Sequence, residues 1–225
     1  MKLGALVSGL AVLAASQAMA TPDLGNAYNY RSTSLALQGG VGSLNSFSPG
    51  GGIFFGPATA LGIEFEKGVG FDGLYINGAL NDVRSSGSAS YSYQSSSALY
   101  LLSPANFSWE EYQLALGLRY KFFEDFPVQP FLGMGLTGGY STITYGNSLS
   151  VPAITMLGSD YRVADSALDF GHFIEAGFSF YFTHLIGMRL RYVYLEGATR
   201  PFDTLKKQMV TYSANLAYLT LFIHF

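Results

Sequence analysis

The chain has 225 residues, no cysteine, 49% hydrophobic residues and a formal charge of −3 from 12 Lys+Arg against 15 Asp+Glu. Charged residues make up only 12%, about half the share of an average soluble domain, and the apolarity excludes an intrinsically disordered chain. The acidic balance leaves no electrostatic footprint for a nucleic acid, and zero cysteine excludes a disulfide scaffold, a thiolate metal site and a cysteine nucleophile.

Lys2 is followed by an apolar run from Leu3 to Ala15 and then by Ala18-Met19-Ala20, an A-x-A end at which a signal peptidase cuts. That run is too short to cross a hydrocarbon core of about 30 Å as a helix. Residues 1–20 therefore read as a cleaved export signal and residues 21–225 as one domain.

Beyond residue 20 no apolar run reaches the length of a membrane helix. Period-two alternation recurs instead, in segments separated by Gly, Ser, Pro and Asp. The first segments are short or noisy: residues 31–41, with Leu35, Leu37 and Val41 on one face, residues 50–55, and residues 59–67, with Leu61, Ile63 and Phe65. Residues 71–80 are ambiguous, since they either lengthen the preceding strand or form a hairpin with residues 89–102. Residues 109–122 alternate cleanly, Tyr112, Leu114, Leu116, Leu118, Tyr120 and Phe122 opposing Glu111, Gln113, Ala115, Gly117, Arg119 and Lys121. In residues 130–145, Leu132, Met134, Leu136 and Tyr140 oppose a row of small residues: Gly133, Gly135, Thr137, Gly139 and Ser141. Residues 133–138 match G-x-G-x-x-G, but a β-branched and aromatic run follows where a dinucleotide site needs a helix. The small row makes room for long side chains opposite. Residues 168–182 set Phe170, Ile174, Phe178 and Phe182 against Asp169, Glu175 and Ser179; residues 185–196 set Met188, Leu190 and Tyr192 against Arg189 and Arg191; residues 209–225 close the series.

This sums to eight strands, or ten if residues 71–102 add a hairpin. Connections at 56–59, 123–129 and 183–184 read as short turns, and those at 42–49, 68–108, 146–167 and 197–207 as long loops, the asymmetry of short periplasmic turns and long outer loops. A soluble sandwich also alternates, but there the charges lie in solvent. Scarce charge, aromatic residues clustered at strand ends (Tyr120, Phe122, Phe123, Phe126 and Phe131; Phe178, Phe180, Tyr181 and Phe182) and the export signal point to a barrel with lipid outside and charge inside.

Three segments carry a resemblance: residues 219–225, alternating and ending on Phe225; residues 130–136, Pro-Phe-Leu-Gly-Met-Gly-Leu; and residues 111–122 before them. With these the chain resembles the small outer-membrane β-barrels of Gram-negative bacteria, of the OmpA/OmpX type, over the whole length after residue 20. The resemblance implies an antiparallel up-and-down barrel in the outer membrane, in contact with its lipid and lipopolysaccharide, and insertion machinery that reads Phe225. The second strand is short, residues 68–108 make a long loop, and no peptidoglycan-binding domain follows, so a role in tethering membrane to cell wall is not implied.

Within such a barrel, parity sends Glu64, Glu66, Glu111 and Glu175 inward, together with Arg119, Lys121, Arg189 and Arg191. Counting from the short turns puts Glu64 and Glu66 level with Arg119 and Lys121 on an adjacent strand, and Glu175 near Arg189 and Arg191. A narrow lumen filled by side chains requires such a balanced set, because a buried unpaired charge is costly. The expected role is structural, with surface recognition by outer loops, in particular Tyr91 and Tyr93 in the Ser/Tyr-rich residues 85–97, against host or phage surface factors. The alternatives are a narrow, porin-like path for small solutes and a lipid-modifying barrel enzyme. The enzyme needs a histidine beside a serine or an acid; His172 with Asp169 is the one pair close in sequence, and their faces differ. The residues thus point to no catalytic group, metal or cofactor.

Overall fold

In a computed structural model, residues 33–47, 53–69, 71–95, 98–123, 126–145, 163–183, 185–200 and 210–225 are described. The export signal expected at residues 1–20 lies outside them. Eight strands follow one another: β1 (Thr33–Phe47), β2 (Ile53–Gly68), β3 (Leu74–Ser95), β4 (Ala98–Lys121), β5 (Val128–Tyr145), β6 (Val163–Tyr181), β7 (Ile186–Thr199) and β8 (Thr211–His224). Each pairs antiparallel with its sequence neighbours, and β8 closes onto β1. Following the pairing from Leu37 through Ile63, Leu80, Leu114, Gly138, Phe170, Ala198 and Thr211 returns to β1 at Phe47, ten residues further along. That stagger tilts the strands and sets the width of a lumen that side chains can fill.

The strand number matches the expectation of eight, but two differences offset each other. Residues 50–55 and 59–67 are not two strands with a turn at 56–59: both belong to β2, and Gly56-Pro57 is where its register to β3 shifts between Phe55 and Ala58. A proline cannot donate to a ladder, so a bulge is where a strand tolerates one. Residues 68–108 are not a loop either. They hold β3 and most of β4, strands of 22 and 24 residues that outrun their neighbours and are joined by residues 96–97. Beyond Ala89 in β3 and before Phe107 in β4, these two strands pair only with each other among the described residues. The short connections at one end are residues 69–73, 122–127 and 182–185, and Thr33 and Phe225 meet at that same end.

Alternation separates two surfaces. Leu37, Val41, Leu61, Leu80, Leu116, Leu136, Ile174, Leu190 and Leu219 face outward and are exposed. Glu64, Glu66, Arg119, Lys121, Arg189 and Gln38 face inward and are buried. This inverts a water-soluble protein: a monomer in water does not expose an apolar band around its whole girth while burying its charges. The barrel spans a membrane. At the short-turn end Tyr120, Phe122, Phe123, Phe126, Phe178 and Phe182 are exposed as an aromatic girdle. Phe131 departs from that expectation: it is 1% exposed and lies in the lumen. The inner glycines admit bulky partners, a Cβ on Gly135 meeting Phe173 at 2.6 Å and one on Gly177 meeting Phe131 at 2.7 Å.

Candidate functional site

Charge fills the lumen on the short-turn side. Arg119 on β4 donates from Nη1 to Glu64 Oε1 on β2 at 2.7 Å and from Nε to Glu175 Oε1 on β6 at 2.8 Å, and it also pairs with Glu66. With eight strands in sequence order, β2 and β6 stand opposite each other across the barrel. Arg119 therefore bridges the whole bore. Arg189 on β7 pairs with Glu64, donates to Glu66 Oε1 at 3.1 Å, and donates from Nε to Ser179 Oγ at 3.1 Å. Arg191 reaches Glu175 Oε2 at 2.9 Å and Glu64 Oε2 at 3.0 Å. Lys121 pairs with Glu66, donates to Tyr181 Oη at 3.2 Å and lies 4.0 Å from the centre of the Tyr75 ring. Aromatic faces complete the packing: Arg119 sits 4.6 Å from the Phe131 ring centre, Arg189 5.1 Å from Phe222 and Arg191 4.5 Å from Tyr218. Such contacts strengthen when desolvated.

Seven of the eight charges singled out from the sequence thus meet in one cluster of three acids and four bases. Two details differ from the expectation. Glu64 and Glu66 do not lie on a strand adjacent to Arg119 and Lys121, because β3 stands between; they meet across the bore. Of the two arginines on β7, Arg191 contacts Glu175, whereas Arg189 turns to the β2 acids. Glu111 is the eighth and stands apart. It accepts from Trp109 Nε1 at 3.2 Å, Gln113 Nε2 at 2.8 Å and Tyr212 Oη at 3.3 Å, all neutral donors. Asp169, which parity also sends inward, lies in the same half and accepts from Ser141 Oγ.

A run of three amides joins the cluster to Glu111. Arg191 Nη2 donates to Gln38 Oε1 at 2.6 Å, Gln38 donates to Asn81 Oδ1, Asn81 Nδ2 to Gln113 Oε1 at 3.4 Å, and Gln113 to Glu111. Every donor points the same way, from guanidinium to carboxylate, so each amide orientation is fixed by its two ends. The sequence reading missed Gln38, Asn77 and Asn81; parity against the outward Leu37 would have found the first, and recognition of β3 the other two.

On the long-connection side the lumen is closed by hydrocarbon. Leu44, Val83, Trp109, Ile143, Leu195, Val210, Tyr212 and Leu216 form one buried cluster, with the Trp109 and Tyr212 rings 5.2 Å apart. Inward apolar residues of this kind were not anticipated. The remaining candidates are placed as follows. Tyr91 and Tyr93 do not lie in a loop: they pair with Leu102 and Tyr100 in the β3–β4 hairpin. Phe225 follows β8 at the barrel seam, its N–H donating to Thr33 O at 3.0 Å. His172 is exposed on the outer face, 3.6 Å from Glu196, while Asp169 is inside. The wall of the barrel separates that pair.

No family model matches the chain, and no curated protein matches it in sequence. Solved structures do match. The outer membrane protein OprG from Pseudomonas aeruginosa is 12% identical over 89% of this chain and 99% of its own, with a TM-score of 0.51. Neisserial surface protein A is 14% identical, over 83% and 95%, at 0.46, and the outer membrane protease OmpT from Escherichia coli is 7% identical, over 86% and 95%, at 0.45. The chain has the fold of the outer-membrane barrels, as the resemblance of its strands implies.

Proposed function

We propose that this protein is a closed outer-membrane barrel whose body is structural and whose β3–β4 hairpin carries surface recognition. One observation supports the closure above all: a single guanidinium, Arg119, holds carboxylates on two opposite strands, and those carboxylates are shared with three more cations. Opening a path there would separate several buried charges at once, each costing several kcal/mol. Recognition is assigned to the hairpin because, among the described residues, it outreaches every other pair of strands and carries Tyr91 and Tyr93 among Ser and Gly, a composition suited to binding surfaces. Its partners would be host or phage surface factors; lipid and lipopolysaccharide would meet the outer belt, and the insertion machinery would read Phe225.

The lipid-modifying alternative is disfavoured by His172 and Asp169 lying on opposite sides of the wall. The solute path is tested by planar-bilayer recording of the refolded barrel. Silence is expected across a wide voltage range. A steady conductance, raised further by Arg119→Ala, would replace the closed barrel by a porin-like one.

A further inference from the structure

Between the charged and the apolar closures lies a cavity of about 20 Å³. Its walls are partly apolar, including Ala79, Ala115, Phe173 and Val193, and partly the buried polar residues Asn77, Thr137 and Arg191. Each of those three carries a polar atom that finds no hydrogen-bond partner among the described residues: Asn77 Oδ1, Thr137 Oγ1 and Arg191 Nε. The rest of each side chain is already held. Asn77 Nδ2 donates to Glu175 Oε1 at 3.2 Å, which turns the carbonyl oxygen away from the cluster, and Arg191 spends Nη1 on Glu175 and Nη2 on Gln38. Gly117 leaves room for the Asn77 oxygen, since a Cβ there would stand 2.9 Å from it.

From this geometry we infer that the barrel holds a built water site, at Asn77, Thr137 and Arg191, between its two closures. The volume suits one water, since about 10–15 Å³ of such space holds a single molecule, and a stable internal water makes two to four hydrogen bonds. Three are on offer, and their signs match: Arg191 Nε donates, Asn77 Oδ1 accepts, and the Thr137 hydroxyl does either. A cation would stand against the Arg191 guanidinium, and an anion against the Asn77 oxygen with Glu175 behind it. A neutral molecule that both donates and accepts fits all three. The site lies beside the amide run from Gln38 to Gln113, in which each amide oxygen already accepts from its neighbour in the run.

Two measurements on the refolded full-length barrel in lipid nanodiscs test it. The first is Thr137→Val, which keeps shape and removes the hydroxyl. If the hydroxyl binds water, the urea midpoint falls; if the cavity is dry, the change deletes an unsatisfied polar group and the midpoint holds or rises. The second is a water-selective nuclear Overhauser experiment on the Ala79 and Ala115 methyl groups, which carry no exchangeable proton and face the lumen. Cross-peaks at the water frequency are expected in the wild type, weakened in the variant. Methyl groups silent toward water, or a midpoint that holds or rises in Thr137→Val, would overturn the site.

Discussion

The lumen is closed twice, by charge toward the short turns and by hydrocarbon toward the long connections, and the two closures are held in different ways. In the charged half Glu64 meets Arg119, Arg189 and Arg191, Glu66 meets Arg119, Lys121 and Arg189, and Glu175 meets Arg119 and Arg191. Removing one member leaves its partners buried with fewer counter-charges at once. In the apolar half each side chain of the Trp109–Ile143–Leu216 cluster contributes roughly in proportion to the surface it buries. The first closure is all-or-none, and the second is graded.

The sharpest way to break that contrast is Arg119→Met, which keeps bulk and deletes charge. Glu64, Glu66 and Glu175 then face fewer cations in a dry bore, and the loss is expected to reach about 3–5 kcal/mol, the range for breaking a buried ion pair. Urea unfolding in vesicles, followed by fluorescence of Trp109, measures it. A loss under about 1 kcal/mol would mean that water reaches the cluster and screens the orphaned acids, and the charged closure would be no closure.

Both halves presuppose that lipid lies outside. Leu116 is 56% exposed near the middle of the belt, so Leu116→Arg is expected to cost about 2–4 kcal/mol, the range for Arg at a barrel midplane. Ala115→Ser points into the lumen and should cost far less. Equal small effects in the same titration would reverse the two surfaces.

What could be read from the sequence divides along the same line. Where strands cross lipid, the two faces meet opposite environments and the period of two is clean, as in residues 109–122. Residues 85–108 carry no such alternation in sequence although their ladder continues, with a register shift between Ala89 and Tyr91. Residues 71–80, where β3 begins, therefore read as ambiguous, and the strand standing between Glu64 and Arg119 could not be counted. The charges announced themselves by parity, but their partners could not be assigned while a strand was missing. Leu44, Val83 and Ile143 were illegible for another reason: they share parity with polar neighbours such as Asn81 and Ser141, and only the closed barrel shows that they converge. Gly56-Pro57 read as a turn because its chemistry is that of a turn; the continuation of β2 past it depends on pairing with β3.

The graded half is sharpened by Ile143→Val. Ile143 is fully buried, and removal of one methylene from such a site costs about 0.5–1.5 kcal/mol. A loss comparable to that of Arg119→Met, in the same unfolding measurement, would show that the apolar closure is as brittle as the charged one.

The smallest effect on stability is expected from the hairpin, where the greatest effect on binding is proposed. Up to Ala89, β3 still pairs with Ile53–Ala58 of β2, and from Phe107 onward β4 pairs with β5. Among the described residues, 90–104 pair with no third strand, so replacing them with a two-residue Asn-Gly turn joins the paired Ala89 and Ala105 positions without cutting any ladder that closes the barrel. The chain between the retained strands becomes shorter, and loop length changes closure entropy by only about 0.6 kcal/mol per twofold step. The unfolding midpoint should move by little more than the error, and the heated and unheated forms should keep their different mobilities on a gel. Attachment to cells, serum factors or phage should be lost together with Tyr91 and Tyr93. A variant that no longer folds would place a structural duty in the hairpin and unite it with the barrel body; binding that survives the excision would move recognition to the connections after β5 or β7.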